Sequence, residues 1–144
     1  MKLFIDDYRS EPEGWHLAKT ITEAVRILSG PIYAEAISLD HDIIFREGKH
    51  GFSEETFATV ARYIAVMPKE KLPKIVYVHT ANPKGANNIL EILKDVVPTV
   101  NIENDGHFNT TGDYSGDINY KGILIKLEQE REKQEQEHKF EGEF

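Results

Sequence analysis

Lys74-Ile75-Val76-Tyr77-Val78-His79 is a short, continuous run rich in β-branched side chains that stops on a polar group. Such a run reads as a strand buried on both faces, the kind found inside a parallel sheet. Working outward, residues 2–5, 15–19, 34–39 and 99–102 repeat the pattern more weakly. Helical spacing fills most of the gaps. Thr20 or Thr22 caps a helix that runs to about Leu28, with Glu23 in its first turn and Gly30-Pro31 ending it. Ser53-Glu54-Glu55-Thr56 reads as a helix start, and Phe57, Val60, Ala61, Ile64 and Ala65 keep helical spacing after it. The turn Thr80-Ala81-Asn82-Pro83-Lys84-Gly85 leads into a helix over 86–97. Tyr-Arg-Ser-Glu-Pro-Glu-Gly at 8–14 is turn-rich and breaks the alternation once. Strands alternating with helices predict an α/β domain around a five-stranded parallel sheet.

At 144 residues the chain has room for one domain with a real core. Seventeen Lys and Arg against twenty-five Asp and Glu give a net charge of −8. That argues against bulk DNA or RNA attraction but leaves room for a small basic pocket holding one phosphate. With no cysteine, disulfides, thiolate metal sites and cysteine nucleophiles are excluded. The start, Met1-Lys2-Leu3-Phe4-Ile5-Asp6-Asp7, does not read as a secretory signal, and no window reaches the length of a membrane span. A cytoplasmic protein without membrane contact is the expectation. Residues 103–119 read as a long polar loop. Residues 126–144 hold seven acids against four bases, and read as a charged helical tail separate from a domain over 1–125.

Ligands of parallel sheets bind beyond the carboxyl ends of the strands. Here those ends carry Asp6-Asp7, Asp40-His41-Asp42, His79-Thr80 and Glu103-Asn104-Asp105. Carboxylates from two neighbouring strand ends can converge, and an all-oxygen set suits Mg²⁺ or Mn²⁺ better than structural zinc. Isolated, each acid is as well explained by a cap or a surface charge. His41 and His79 are candidates for proton transfer beside a metal and phosphate, each with a structural hydrogen-bonding role as the alternative. Arg9 either grips a phosphate or bridges the same acids. Asn82-Pro83-Lys84-Gly85 is either an anion site at a helix start or a plain turn and cap. Tyr8, Trp15 and Tyr114 are candidates for stacking on a base, and His16, His50, His107 and His138 are weaker site candidates.

The order of elements resembles the receiver domain of two-component signalling, with acids after the first and third strands and a hydroxyl after the fourth. The resemblance implies a flavodoxin-like three-layer fold, Mg²⁺ held near Asp6, Asp7 and Asp40, and Thr80 at the family's Ser/Thr position. Two departures speak against phosphorelay. No lysine lies within 99–105, and a loop over 8–14 replaces the first helix. Three blocks resemble more closely the cyclic-phosphate processing receiver domains: Leu3-Phe4-Ile5-Asp6-Asp7-Tyr8-Arg9 with Pro12 and Trp15, Ser38-Leu39-Asp40-His41-Asp42, and His79-Thr80-Ala81-Asn82-Pro83-Lys84-Gly85. That resemblance covers about residues 1–105.

It implies a receiver-like fold repurposed to bind, with or without hydrolysis, the cyclic phosphates of nucleotides or RNA ends. The first expectation is a metal-dependent phosphoesterase opening a 2′,3′-cyclic nucleotide or RNA end. Asp6, Asp7 and Asp40 would hold the metal, and Asp40, His41 and His79 would do the chemistry. Arg9, Thr80, Asn82 and Lys84 would hold the substrate. The alternatives are a binding module without turnover and a divergent phosphoacceptor with Asp40 phosphorylated.

Overall fold

The computed structural model describes residues 1–43, 56–102 and 120–141, with side chains up to Glu137. The five apolar runs form β1 (Lys2–Ile5), β2 (Trp15–Ala18), β3 (Ala36–Leu39), β4 (Ile75–Val78) and β5 (Thr99–Asn101). They make one sheet in the order β2-β1-β3-β4-β5, with every pair parallel. This is the doubly wound order in which the direction of winding reverses between β1 and β3, and ligands of such sheets bind beyond that reversal.

Successive strand side chains alternate between the two faces. Leu3, Ile5, Ile37, Leu39, Val76 and Val78 pack on one face against α1 (Ile21–Leu28), α2 (Ala58–Ala65) and α3 (Pro83–Leu93). Phe4, Trp15, Ala36 and Tyr77 face the other way, onto Tyr120 and Leu124 of α4 (Tyr120–Glu141). The layers are therefore three helices, the sheet, and α4. Between β1 and β2 there is no helix. The chain turns instead through residues 6–14, closing at Gly14, whose φ of 86° is a conformation side-chain-bearing residues rarely adopt.

Local signals explain most boundaries. Thr20 caps α1 by accepting from the Glu23 N–H. α3 begins at Pro83, three residues before the expected Ala86, because Asn82 caps it and proline at the first position sacrifices only an N–H that has no helical partner. It also ends at Leu93, short of Val97. α2 starts at Ala58, and the expected start at Ser53 lies outside the described residues, as do the strand-end acids at 103–105. α4 is continuous through the boundary expected between residues 125 and 126. Its acidic part is not wholly solvated. Glu128 is 2% exposed, where it accepts from the Tyr77 hydroxyl (2.7 Å), from both arms of Arg131 (2.6 and 2.8 Å) and pairs with Lys2 (3.0 Å).

Candidate metal and phosphate site

Ile5, Leu39 and Val78 lie in register across β1, β3 and β4. The next residue on each strand is Asp6, Asp40 and His79, and their backbones extend the ladder. The Asp40 N–H donates to the Ile5 carbonyl (3.0 Å), and the His79 N–H donates to the Leu39 carbonyl (3.1 Å). One row of the sheet thus sets two carboxylates and an imidazole side by side at the β1/β3 reversal. All three are buried.

Asp6 is the hub. Its Oδ1 accepts from the backbone N–H groups of Tyr8 (2.8 Å) and Arg9 (2.9 Å), which ties the loop that replaces a helix to the strand end. Its Oδ2 meets the Arg9 guanidinium (3.1 Å) and His79 Nε2 (3.0 Å). Burial alone would raise the Asp6 pKa, but His79 and the two backbone donors outweigh it and hold the carboxyl below its ordinary range. Asp40 behaves oppositely. Burial, reinforced by the charge of Asp6, pushes it up to about 6 although His79 and Arg9 pull the other way. Two carboxylates in one site are thereby driven apart in acidity, a pattern typical of reactive centres.

The Arg9 guanidinium bridges the pair, reaching Asp40 Oδ2 at 3.3 Å, and lies 4.7 Å from the centre of the Tyr120 ring. Burial works against its charge, but Asp40 and Asp6 more than compensate and raise its pKa. His79 is fully buried, stacked on Phe4 with ring centres 4.4 Å apart, and both its nitrogens are engaged: Nε2 by Asp6 and Nδ1 by the Ser38 hydroxyl at 2.6 Å. Tyr120 closes over it edge-on at 5.6 Å.

His41 sits differently. Its backbone N–H donates to Asp40 Oδ1 (2.8 Å), and its Nδ1 meets Asp42 Oδ1 (2.8 Å). Asn82 donates to the same Asp42 carboxylate (3.3 and 3.4 Å), while its Oδ1 accepts from the Gly85 N–H (3.1 Å). Thr80 is buried, and its hydroxyl accepts from the Asn82 N–H (3.1 Å). Lys84 is exposed on the first turn of α3, without an ion pair among the described residues.

Asp6, Asp7 and Asp40 each offer a carboxylate oxygen, all within 4.8 Å of one another. The donors are hard oxygens, which suit Mg²⁺ or Mn²⁺ better than structural zinc. Ser38 and Tyr120 are site residues that sequence reading missed. A buried serine two residues before Asp40 shares its face of β3, a signal available from strand alternation. Tyr120, far along the chain, offered none.

Residues 1–95 match the model of the cyclic-phosphate processing receiver domain family. The chain belongs to that family. No curated protein and no solved structure matches it at a significant level. Membership accords with the receiver-like sheet, and the family is named for cyclic-phosphate processing. Among the described residues, no helix is long and apolar enough to cross a membrane.

Proposed function

We propose that this receiver domain hydrolyses a cyclic phosphate with the help of a divalent metal, the substrate being a 2′,3′-cyclic nucleotide or a cyclic-phosphate-ended RNA. The convergence of Asp6, Asp7 and Asp40 at the sheet's reversal point carries the reading. These three carboxylates hold Mg²⁺ or Mn²⁺. When bound, the metal supplies charge neutralisation at the phosphate oxygens and lowers the pKa of a coordinated water.

The chain's own groups do the rest. Arg9, partly buried against Asp6 and Asp40, offers a planar donor pair to the phosphate once it leaves the carboxylates. Lys84 adds a second cation from the exposed turn of α3. Thr80 and Asn82 are the expected substrate-binding residues of the turn; the Thr80 hydroxyl accepts from the Asn82 N–H, and the Asn82 side chain joins Gly85 to Asp42, contacts that favour a role in shaping the turn. His79 holds Asp6 in place from below. Proton exchange with the attacking water and the leaving ribose oxygen falls to a histidine.

Asp40→Ala is expected to abolish hydrolysis of a 2′,3′-cyclic nucleotide, measured by chromatography of the monoester, with the thermal melt of the metal-free protein retained. Full activity in that variant would remove Asp40 from the machinery.

A further inference from the structure

The turn that opens α3 serves the histidine beside it. Asn82 uses both ends of its side chain, one to cap Gly85 and the other to hold the Asp42 carboxylate, and Asp42 in turn holds His41 Nδ1. Gly85 completes the mount. A Cβ built there would collide with the His41 ring, so glycine lets the imidazole lie directly against the first turn of α3. Backbone contact to Asp40 fixes the same residue from the other side.

An ionised carboxylate can only accept, so the Nδ1 facing Asp42 donates, and in the neutral ring this contact selects the tautomer whose Nε2 carries the lone pair. Nε2 has no hydrogen-bond partner among the described residues, and the side chain remains 11% exposed. His79 is the reverse case, fully buried with both nitrogens engaged. We infer that His41 is the proton-transferring residue, that Asp42 and Asn82 are positioning residues acting through it, and that His79 takes no proton from substrate.

This rests on the hydrolytic reading above. In the step it describes, the water oxygen bonds to phosphorus and its proton passes to His41 Nε2. The bond from phosphorus to one ribose oxygen breaks, and that oxygen takes the proton from His41. The products are a phosphate monoester and a free hydroxyl, with His41 restored. The arrangement follows the logic by which an acidic residue orients a catalytic imidazole in hydrolases.

Two measurements test it on the intact protein. Long-range nitrogen–proton NMR reads the His41 tautomer in the metal-free protein, where the Nδ1–H form is expected, and Asp42→Asn and Gly85→Ala should both lose it. Against 2′,3′-cyclic AMP with Mg²⁺, Asp42→Asn should lower kcat about 10- to 100-fold with KM changed less than about threefold, a smaller loss than the roughly 10²- to 10⁴-fold of removing the acid–base group itself, as suits a residue acting through His41. Mg²⁺ affinity should stay within about twofold, since His41 and Asp42 are not among the expected ligands. An Nε2–H tautomer in the native protein, its Nδ1–H form unchanged in both variants, or wild-type kcat in Asp42→Asn would overturn the inference. Absence of any wild-type turnover would sink the hydrolytic reading and the proton-transfer role together, while the tautomer would still decide whether Asp42 and α3 mount the ring.

Discussion

At the scale of single residues, the site is held together by one cation doing a metal's work. Arg9 neutralises Asp6 and Asp40, and Asp6 already accepts four N–H donors: two backbone groups, Arg9 and His79. A metal entering between these carboxylates has to displace the guanidinium. Arg9→Gln, which keeps much of the length but removes the charge, is therefore expected to tighten Mg²⁺ binding about 3- to 10-fold in a calorimetric titration, because a competing charge a few ångströms away is gone. The same variant should hydrolyse substrate more slowly, having lost a phosphate donor. Unchanged or weaker Mg²⁺ binding would mean that Arg9 does not compete. The residue types at the site were legible from sequence, because acids and histidines at the ends of apolar runs stand out. Their partners were less so. Whether His79 faces substrate or Asp6 depends on Ser38 and Phe4, which are unremarkable in sequence and matter only because strand alternation puts them on the same face.

At the scale of elements, α4 departs most from what its composition suggested. Residues rich in Glu, Gln and Lys read as a solvated tail, yet Glu128 and the partly buried Arg131 dock against β1 and β4 through Lys2 and Tyr77. Composition hides this because helical spacing of two charged side chains says nothing of a partner more than fifty residues away. Burial would raise the Glu128 pKa, but hydrogen bonds from Arg131, Tyr77 and Lys2 bring it down to about 2 from 4.5. A carboxyl lowered on folding contributes stability that is fully present above its unfolded pKa and is lost as pH falls through the folded one. Stability should therefore decline between about pH 4.5 and 2, with Glu128 accounting for about 3 kcal/mol of the loss. Glu128→Gln should flatten that part of the pH–stability curve in denaturant titrations and destabilise the protein near neutral pH. A slope equal to wild type would mean that the buried cluster does not hold α4. The strands and α1 were legible almost to the residue, since β-branched runs and a Thr20 cap are local signals. The start of α3 is harder to read, since a proline after Asn82 fits a turn as well as the first helical position it occupies.

At the scale of the whole molecule, a net charge of −8 surrounds the site proposed to receive a phosphate. Arg9 and Lys84 can attract one phosphate group locally, but a polyanion meets repulsion from the rest of the surface. A 2′,3′-cyclic mononucleotide should therefore have a higher kcat/KM than the same end on a long RNA at low salt, and raising the salt should narrow the gap by screening. A preference for long RNA that weakens with salt would point instead to a basic track along the molecule. The parallel order of the sheet, readable in outline from alternating strands and helices, is what brings residues from three separate blocks of sequence to one edge. The central claim is that the three aspartates at that edge make a metal-dependent hydrolytic centre. Phosphorus NMR of the wild-type protein with a 2′,3′-cyclic nucleotide, in Mg²⁺ and again in EDTA, tests it most directly. The cyclic phosphate signal should give way to a monoester only with the metal present. Conversion that persists in EDTA, or no conversion in either condition, would contradict it.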